Sequence, residues 1–423
     1  MATIEAVHAR QILDCKARPM VEVTVKTSDG IITRGAAPTG QSVGMHESFV
    51  LRDGNPREYH GQGVRKAADN VNTVIAPALI GMDIEDQAAI DKAMLALDGT
   101  DQKSFLGGNA IYSTSIAALR AGAATAGVPV YEHIARGPLA TVPVPSFNVV
   151  NGGRHGEIFQ AFNEFLIMPY KAENIDQAVE IGVEVFDRLG KVLEKYSGHA
   201  PAIAKSYGYA APSSDPQVVL ELIQQAIDGS GYTNEVAFAL DCASSETYDA
   251  ATKTYELNNS RVTSSELIAY TRKLTEQFDF VFIEDLLDEN DWNGFSEAVR
   301  ELRRTIILGD DLIVTNPAFL ERAIAQKAVD GFILKPNQVG TITEALQTFD
   351  TAVENGLLAV PSGRSGGVID DVVMDLSVGL QVPFQKNGAP RSGERIEKLN
   401  FLMRASDSLP GSRLADVPSI VRF

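Results

Sequence analysis

Asp330-Gly331-Phe332-Ile333-Leu334-Lys335-Pro336-Asn337-Gln338 is the stretch around which the rest of the chain is arranged. Phe332 to Leu334 reads as a short buried strand, and the proline, asparagine and Gly340 that follow turn the chain. A lysine at the carboxyl end of such a strand is costly to desolvate unless it has a task there. Three upstream strands end in acids instead: Ala237–Asp241, Phe280–Glu284 and Ile306–Asp310. From Asp241 onward the terminal charges are 43, 26 and 25 residues apart, steps that hold one strand and one helix. That is the repeat of a parallel β/α barrel, whose catalytic groups sit at the carboxyl ends of the strands.

Asp241, Glu284 and Asp310 suit a hard cation, because Mg²⁺ takes oxygen ligands. Any one of them alone reads as a helix cap or a surface charge; Asp310-Asp311 ahead of Thr315-Asn316-Pro317 is an example of the first. Lys335 reads either as a structural lysine paired with one of the acids or, beside such a cation, as a base, burial making its neutral form accessible. Lys386, in Gln385-Lys386-Asn387-Gly388, is a second candidate. Pro361-Ser362-Gly363-Arg364-Ser365-Gly366-Gly367 reads as a phosphate cradle or, more plainly, a turn.

Upstream of the barrel pattern, Val21, Val23 and Val25 alternate with polar residues, and Ser28-Asp29-Gly30 turns the chain into a returning strand. Pro38 to Gly44 reads as a mobile loop. Residues from about Arg57 to Ala135 read as mostly helical. This α+β region gives way to a proline-rich stretch, 138–145, that reads as a linker. The expected organisation is an N-terminal domain over residues 1–137 and a barrel over 138–423. One barrel helix shows an apolar face of Val179, Val183, Phe186, Leu189, Leu193 and Tyr196.

The 423 residues carry a formal net charge of −18, which argues against nucleic-acid binding. Cys15 and Cys242 are too few for a disulfide framework. No apolar run reaches membrane-spanning length, and the start lacks a basic region followed by an apolar core. A cytoplasmic protein without nucleic-acid or membrane partners is the expectation. No Walker sequence, dinucleotide glycine fingerprint or nucleophile elbow occurs.

The sequence resembles the enolase family over almost its whole length. The resemblance is carried by Ala9-Arg10-Gln11-Ile12, Leu51-Arg52-Asp53-Gly54, Phe147-Asn148-Val149-Val150-Asn151-Gly152-Gly153, Leu240-Asp241-Cys242-Ala243-Ser244-Ser245-Glu246, Ile283-Glu284-Asp285, Asp310-Asp311-Leu312, Leu334-Lys335-Pro336-Asn337-Gln338 and Gly388-Ala389-Pro390. It implies an N-terminal α+β capping domain followed by a C-terminal (β/α)8-type barrel with irregular first units. It also implies Mg²⁺-assisted formation of an enediolate. Asp241, Glu284 and Asp310 would hold the Mg²⁺ that binds the substrate carboxylate, and Ser42 would reach a second one. Lys335 would take the proton alpha to that carboxylate, and Lys386 would help neutralise the enediolate. Arg364 and Ser365 would hold a phosphoryl group. His155 and Glu164 match the family's loop histidine and first active-site glutamate. A homodimer, or an assembly of dimers, is implied as well.

Some positions depart from the family pattern. Where it has Asp-Glu-Gly-Gly, whose glutamate protonates the departing hydroxide, this chain has Lys205-Ser206-Tyr207-Gly208, with Tyr207 near the glutamate's place, give or take one residue. Gly363 replaces a histidine, Arg154 a small serine, and Arg391 precedes a changed Ser392-Gly393-Glu394-Arg395. These changes predict crippled ordinary dehydration and a roomier, more positive pocket, with Arg154, Lys205 and Tyr207 facing substrate. The expected substrate is a larger phosphorylated or phosphono compound with an extra anionic group, as for carboxyphosphonoenolpyruvate synthase of phosphonate natural-product pathways. The alternatives are an ordinary phosphopyruvate hydratase and a non-catalytic enolase-like binding protein.

Overall fold

A computed structural model describes residues 2–40, 44–153 and 158–423. The chain begins with an antiparallel sheet in the order β1 (Ile4–Leu13), β2 (Pro19–Thr27), β3 (Ile32–Ala36). Val21, Val23 and Val25 of β2 are fully buried while Glu22, Thr24 and Lys26 between them are only half-buried, the period of a strand with one covered face. The cover is α1 (Gly108–Ala126), buried on nearly all sides. Its alanines allow close approach, and Gly35 of β3 lies flush against its backbone at Ser113, where a β carbon would collide.

Eight further strands form the barrel: β4 (Val144–Gly153), β5 (Gln160–Met168), β6 (Ala237–Asp241), β7 (Phe280–Glu284), β8 (Ile306–Gly309), β9 (Gly331–Leu334), β10 (Leu358–Pro361) and β11 (Phe384–Lys386). The hydrogen-bonded order is β10-β9-β8-β7-β6-β5-β4-β11, and a bridge from Ser362 to Lys386 closes the ring. β5 runs antiparallel to both β4 and β6; all other pairings are parallel. The irregular start and regular continuation match the expectation. Every residue of β6, β7, β8 and β9 is buried, as the apolar runs require of strands covered on both faces.

One sequence expectation needs correction. In α2 (Ile175–Ser197) the buried face is Ala178, Ile181, Val185, Leu189 and Leu193, whereas Val183 and Tyr196 are 44% and 52% exposed. The chain packs that helix through Gly182 against the Phe147 ring, so Phe186, Leu189 and Leu193 of the expected face are buried while Ala178, Ile181 and Val185 take the place of Val183 and Tyr196. Within the proline-rich stretch Thr141–Val142 pairs with Arg413–Leu414, and Val144 begins β4. Among the described residues no helix is long and apolar enough to cross a membrane.

Candidate active site

Strand register builds the site. Glu164 on β5 faces Asp241 on β6, and Asp241 faces Glu284 on β7, so three carboxylates form one row at the strand ends. Glu284 faces Leu308 of β8, which places Asp310 just past the same rim. Lys386, ending β11, reaches across: its Nζ lies 3.0 Å from Asp241 Oδ2 and 3.9 Å from Glu164 Oε2, and it pairs directly with Glu284. Lys335, just past β9, pairs with Asp310 and lies 4.0 Å from Glu284 Oε1. Its backbone amide donates to Thr315 Oγ1 at 2.9 Å, and Gln338 Nε2 donates to Asp310 Oδ1 at 2.9 Å. Asn148 Nδ2 donates to Glu164 Oε1 at 2.8 Å.

Burial and crowding set the protonation preferences. Burial pushes the Glu284 carboxyl well above its ordinary range, and Asp241 beside it adds to the rise. Burial also raises Glu164. Burial works against the charged form of Asp310, but Lys335 and Arg364 outweigh it and hold that carboxyl low. Of the two lysines, Lys335 moves the other way from the accessible neutral form expected of it, while Lys386 keeps the charge its expected role needs. Burial opposes their charge, yet Asp310 and Glu284 hold Lys335 above its usual value, and Asp241, Glu284 and Glu164 hold Lys386 well above it. The reason is that burial here comes with adjoining carboxylates, so the ammonium form is the favoured partner.

The residues fit a hard divalent cation. Glu284 is fully buried, yet its Oε1 has no hydrogen-bond partner among the described residues, an orphaned acceptor of the kind a cation would satisfy. The donors nearby are carboxylate oxygens, the ligand type Mg²⁺ prefers. A tighter acidic group lies next to the expected one: ligand oxygens of Asp285, Asp310 and Asp311 all fall within 4.8 Å of one another. Asp285 accepts from the backbone amides of Asp310 and Asp311, both at 2.8 Å, so its carboxylate also shapes the turn after β8.

At the other side of the cleft, Arg364 lies in the lining and is buried, and Glu47 engages it through both guanidinium nitrogens at 3.0 and 3.1 Å. The neighbouring Ser365 Oγ is buried and without a hydrogen-bond partner among the described residues. The cleft encloses about 100 Å³.

Not every expected residue faces it. Ser206 lines the cleft; Tyr207 turns away, its hydroxyl 3.4 Å from the Cys15 carbonyl and its ring under the Arg395 guanidinium. Lys205 is exposed and outside the lining, and Arg391 sits on the outer surface over Phe186. Ser42, Arg154 and His155 lie outside the described residues. The positive charge comes instead from Arg395 and Lys398 on α4 (Gly393–Ser408). Nor is the room left by Gly363 empty: a β carbon there would lie 2.5 Å from Lys398 Nζ. Sequence reasoning missed Lys398. The available signal was its spacing of three from Arg395, which puts both on one helix face.

Comparison with known proteins agrees with this geometry. Residues 4–134 match the family model for the enolase N-terminal domain, and residues 139–415 the one for the enolase C-terminal TIM barrel domain. The curated enolase of Methanopyrus kandleri is 40% identical over 416 residues, which is 97% of this chain and 97% of that protein.

Proposed function

From the premise that the chain belongs to the enolase family, a family of lyases, we propose that it is a phosphopyruvate hydratase, interconverting 2-phosphoglycerate and phosphoenolpyruvate with Mg²⁺. The observation carrying this reading is the row Glu164–Asp241–Glu284, with Lys386 spanning it and Lys335 beside it. Proton removal alpha to a carboxylate needs a base and a way to hold the second negative charge of the enediolate. Asp241, Glu284 and Asp310 would hold the cation, which supplies charge stabilisation for the enediolate oxygens and draws the carboxylates' field away from the lysines. Lys335, relieved of its proton, takes the alpha proton. Lys386 keeps its ammonium and neutralises the developing oxyanion. Ser365 Oγ and Arg364 receive the phosphoryl group, Arg364 exchanging Glu47 for phosphate oxygens. Glu164, held by Asn148, borders the reacting carbons.

Supplied with Mg²⁺ and 2-phosphoglycerate, the protein should release phosphoenolpyruvate at a rate that Lys335→Ala abolishes. No turnover under those conditions would defeat the proposal. The phosphonate-type substrate is the second reading, favoured by one observation: Ser206 and Gly363 bring no acid or imidazole into the cleft, and Lys398 stands there instead. Exchange of the alpha proton on a phosphono analogue, without turnover of 2-phosphoglycerate, would select it.

A further inference from the structure

Among the described residues three lysines line the cleft, and two are engaged by carboxylates. Lys398 is different. It is 5% exposed, yet its ammonium has no hydrogen bond or ion pair among the described residues. Its position is set by two neighbours. On α4 it stands one turn after Arg395, whose Nη1 donates to the Ser206 carbonyl at 2.8 Å. Its Nζ abuts Gly363, which directly follows Ser362. Ser362 bridges to Lys386, and Pro361 before it pairs with Leu334, the residue preceding Lys335. Lys398 therefore reaches the rim between the two lysines that handle the enediolate. A buried, unpaired cation of this kind is expensive unless a ligand or a reaction uses it.

We infer that Lys398 is the catalytic proton donor to the departing hydroxide. The inference rests on the dehydration reading above. Lys335, as the free amine, removes the proton from C2, and the electron pair is held as the enediolate. As that collapses, the pair forms the C2=C3 bond and the C3–O bond breaks. The leaving oxygen keeps the bonding pair and takes one proton from Lys398 Nζ, departing as water. Lys335 ends as an ammonium and Lys398 as an amine; solvent removes one proton from the first and returns one to the second.

The charges facing Lys398 are Asp371, Glu394, Arg395 and the Cys15 thiol. Burial lowers its pKa to about 8, Arg395 assisting against the pull of Asp371, Glu394 and Cys15. The group is then charged at neutral pH yet a better acid than an ordinary lysine, as general acid catalysis requires.

Lys398→Met and Lys398→Arg, assayed with Mg²⁺ and 2-phosphoglycerate, should lose about 10²- to 10⁴-fold in kcat for dehydration with KM little changed. Solvent deuterium uptake at C2 should continue at the wild-type rate in both. The wild-type kcat should fall as pH rises through about 8, and neither variant should show that limb. Gly363→Ala, which drives the ammonium from its place, reports the same loss if Lys398→Met does not fold. Wild-type kcat in a folded variant, or a loss confined to KM, overturns the inference and leaves the dehydration reading standing. Absence of dehydration by the wild type overturns both.

Discussion

Asp241 and Glu284 face each other across neighbouring parallel strands, and Lys386 reaches both from the far side of the barrel seam. Residues more than a hundred apart in sequence thus share one small volume, and each is conditioned by the others. Glu284 is the pivot, since both lysines lie near its carboxylate.

Loss of the amine at 335 should stop proton removal without disturbing the acids that hold the cation. Lys335→Ala is expected to slow solvent deuterium exchange at C2 by at least about 10²-fold. Retained exchange, followed by NMR in D₂O, would show that another group is the base.

The orphaned Glu284 Oε1 predicts a stabilising cation. Mg²⁺ at a hundred times its Kd should stabilise the wild type by about 2.7 kcal/mol, and EDTA should reverse the gain. Glu284→Gln should weaken Mg²⁺ binding by at least about 10-fold. Thermal melts with and without Mg²⁺ check both; an unchanged response in the variant would remove Glu284 from the ligand set.

Lys386 is the counter-ion shared by Glu164, Asp241 and Glu284. Lys386→Met leaves buried carboxylates unpaired and should cost about 3–5 kcal/mol in metal-free protein. The sign with pH follows from the carboxyls at 164 and 284, already raised in the fold. Such groups carry no penalty below their unfolded pKa; the penalty grows as pH rises from there toward the folded one and is constant above it. Urea titrations should therefore show the variant's deficit shrinking as pH falls toward 4, and a deficit constant with pH would contradict this account.

Asp375, away from the cleft on the helix Val373–Gly379, gives a cleaner pH effect. Burial raises its carboxyl from 3.8 to about 7, despite the lowering influence of Arg120. Between those values the unfolded chain releases a proton that the folded chain keeps, so stability falls as pH rises from about 4 to about 7. At about 1.4 kcal/mol per pH unit the loss amounts to a few kcal/mol. Asp375→Asn should flatten that slope and be the more stable protein at pH 8. Identical slopes for the two proteins in denaturant titrations at pH 4 to 8 would show that Asp375 does not carry the effect.

The strand ends were legible because a buried apolar run that stops at a charge is costly anywhere else, and three acids and a lysine at β/α spacing repeat that pattern. The same local logic failed on α2, where spacing chose Val183 and Tyr196 while Gly182 decided which face met the Phe147 ring. It failed again at the water-expelling side of the cleft. Lys205, Tyr207 and Arg391 are close in sequence to the altered motifs, but their side chains leave the cleft.

By itself the sequence determined the family, through the motifs that carry the resemblance, and the barrel with acids and a lysine at its strand ends, through short-range burial and periodicity along single strands. Only the tertiary structure decided which charges are paired. Register across β5, β6 and β7 aligned Glu164, Asp241 and Glu284, and ring closure brought Lys386 onto them. The approach of α4 to Gly363 then left Lys398 as the cleft ammonium that has no ion pair among the described residues. Pairing depends on distances between segments far apart in the chain, and residue spacing does not encode those distances.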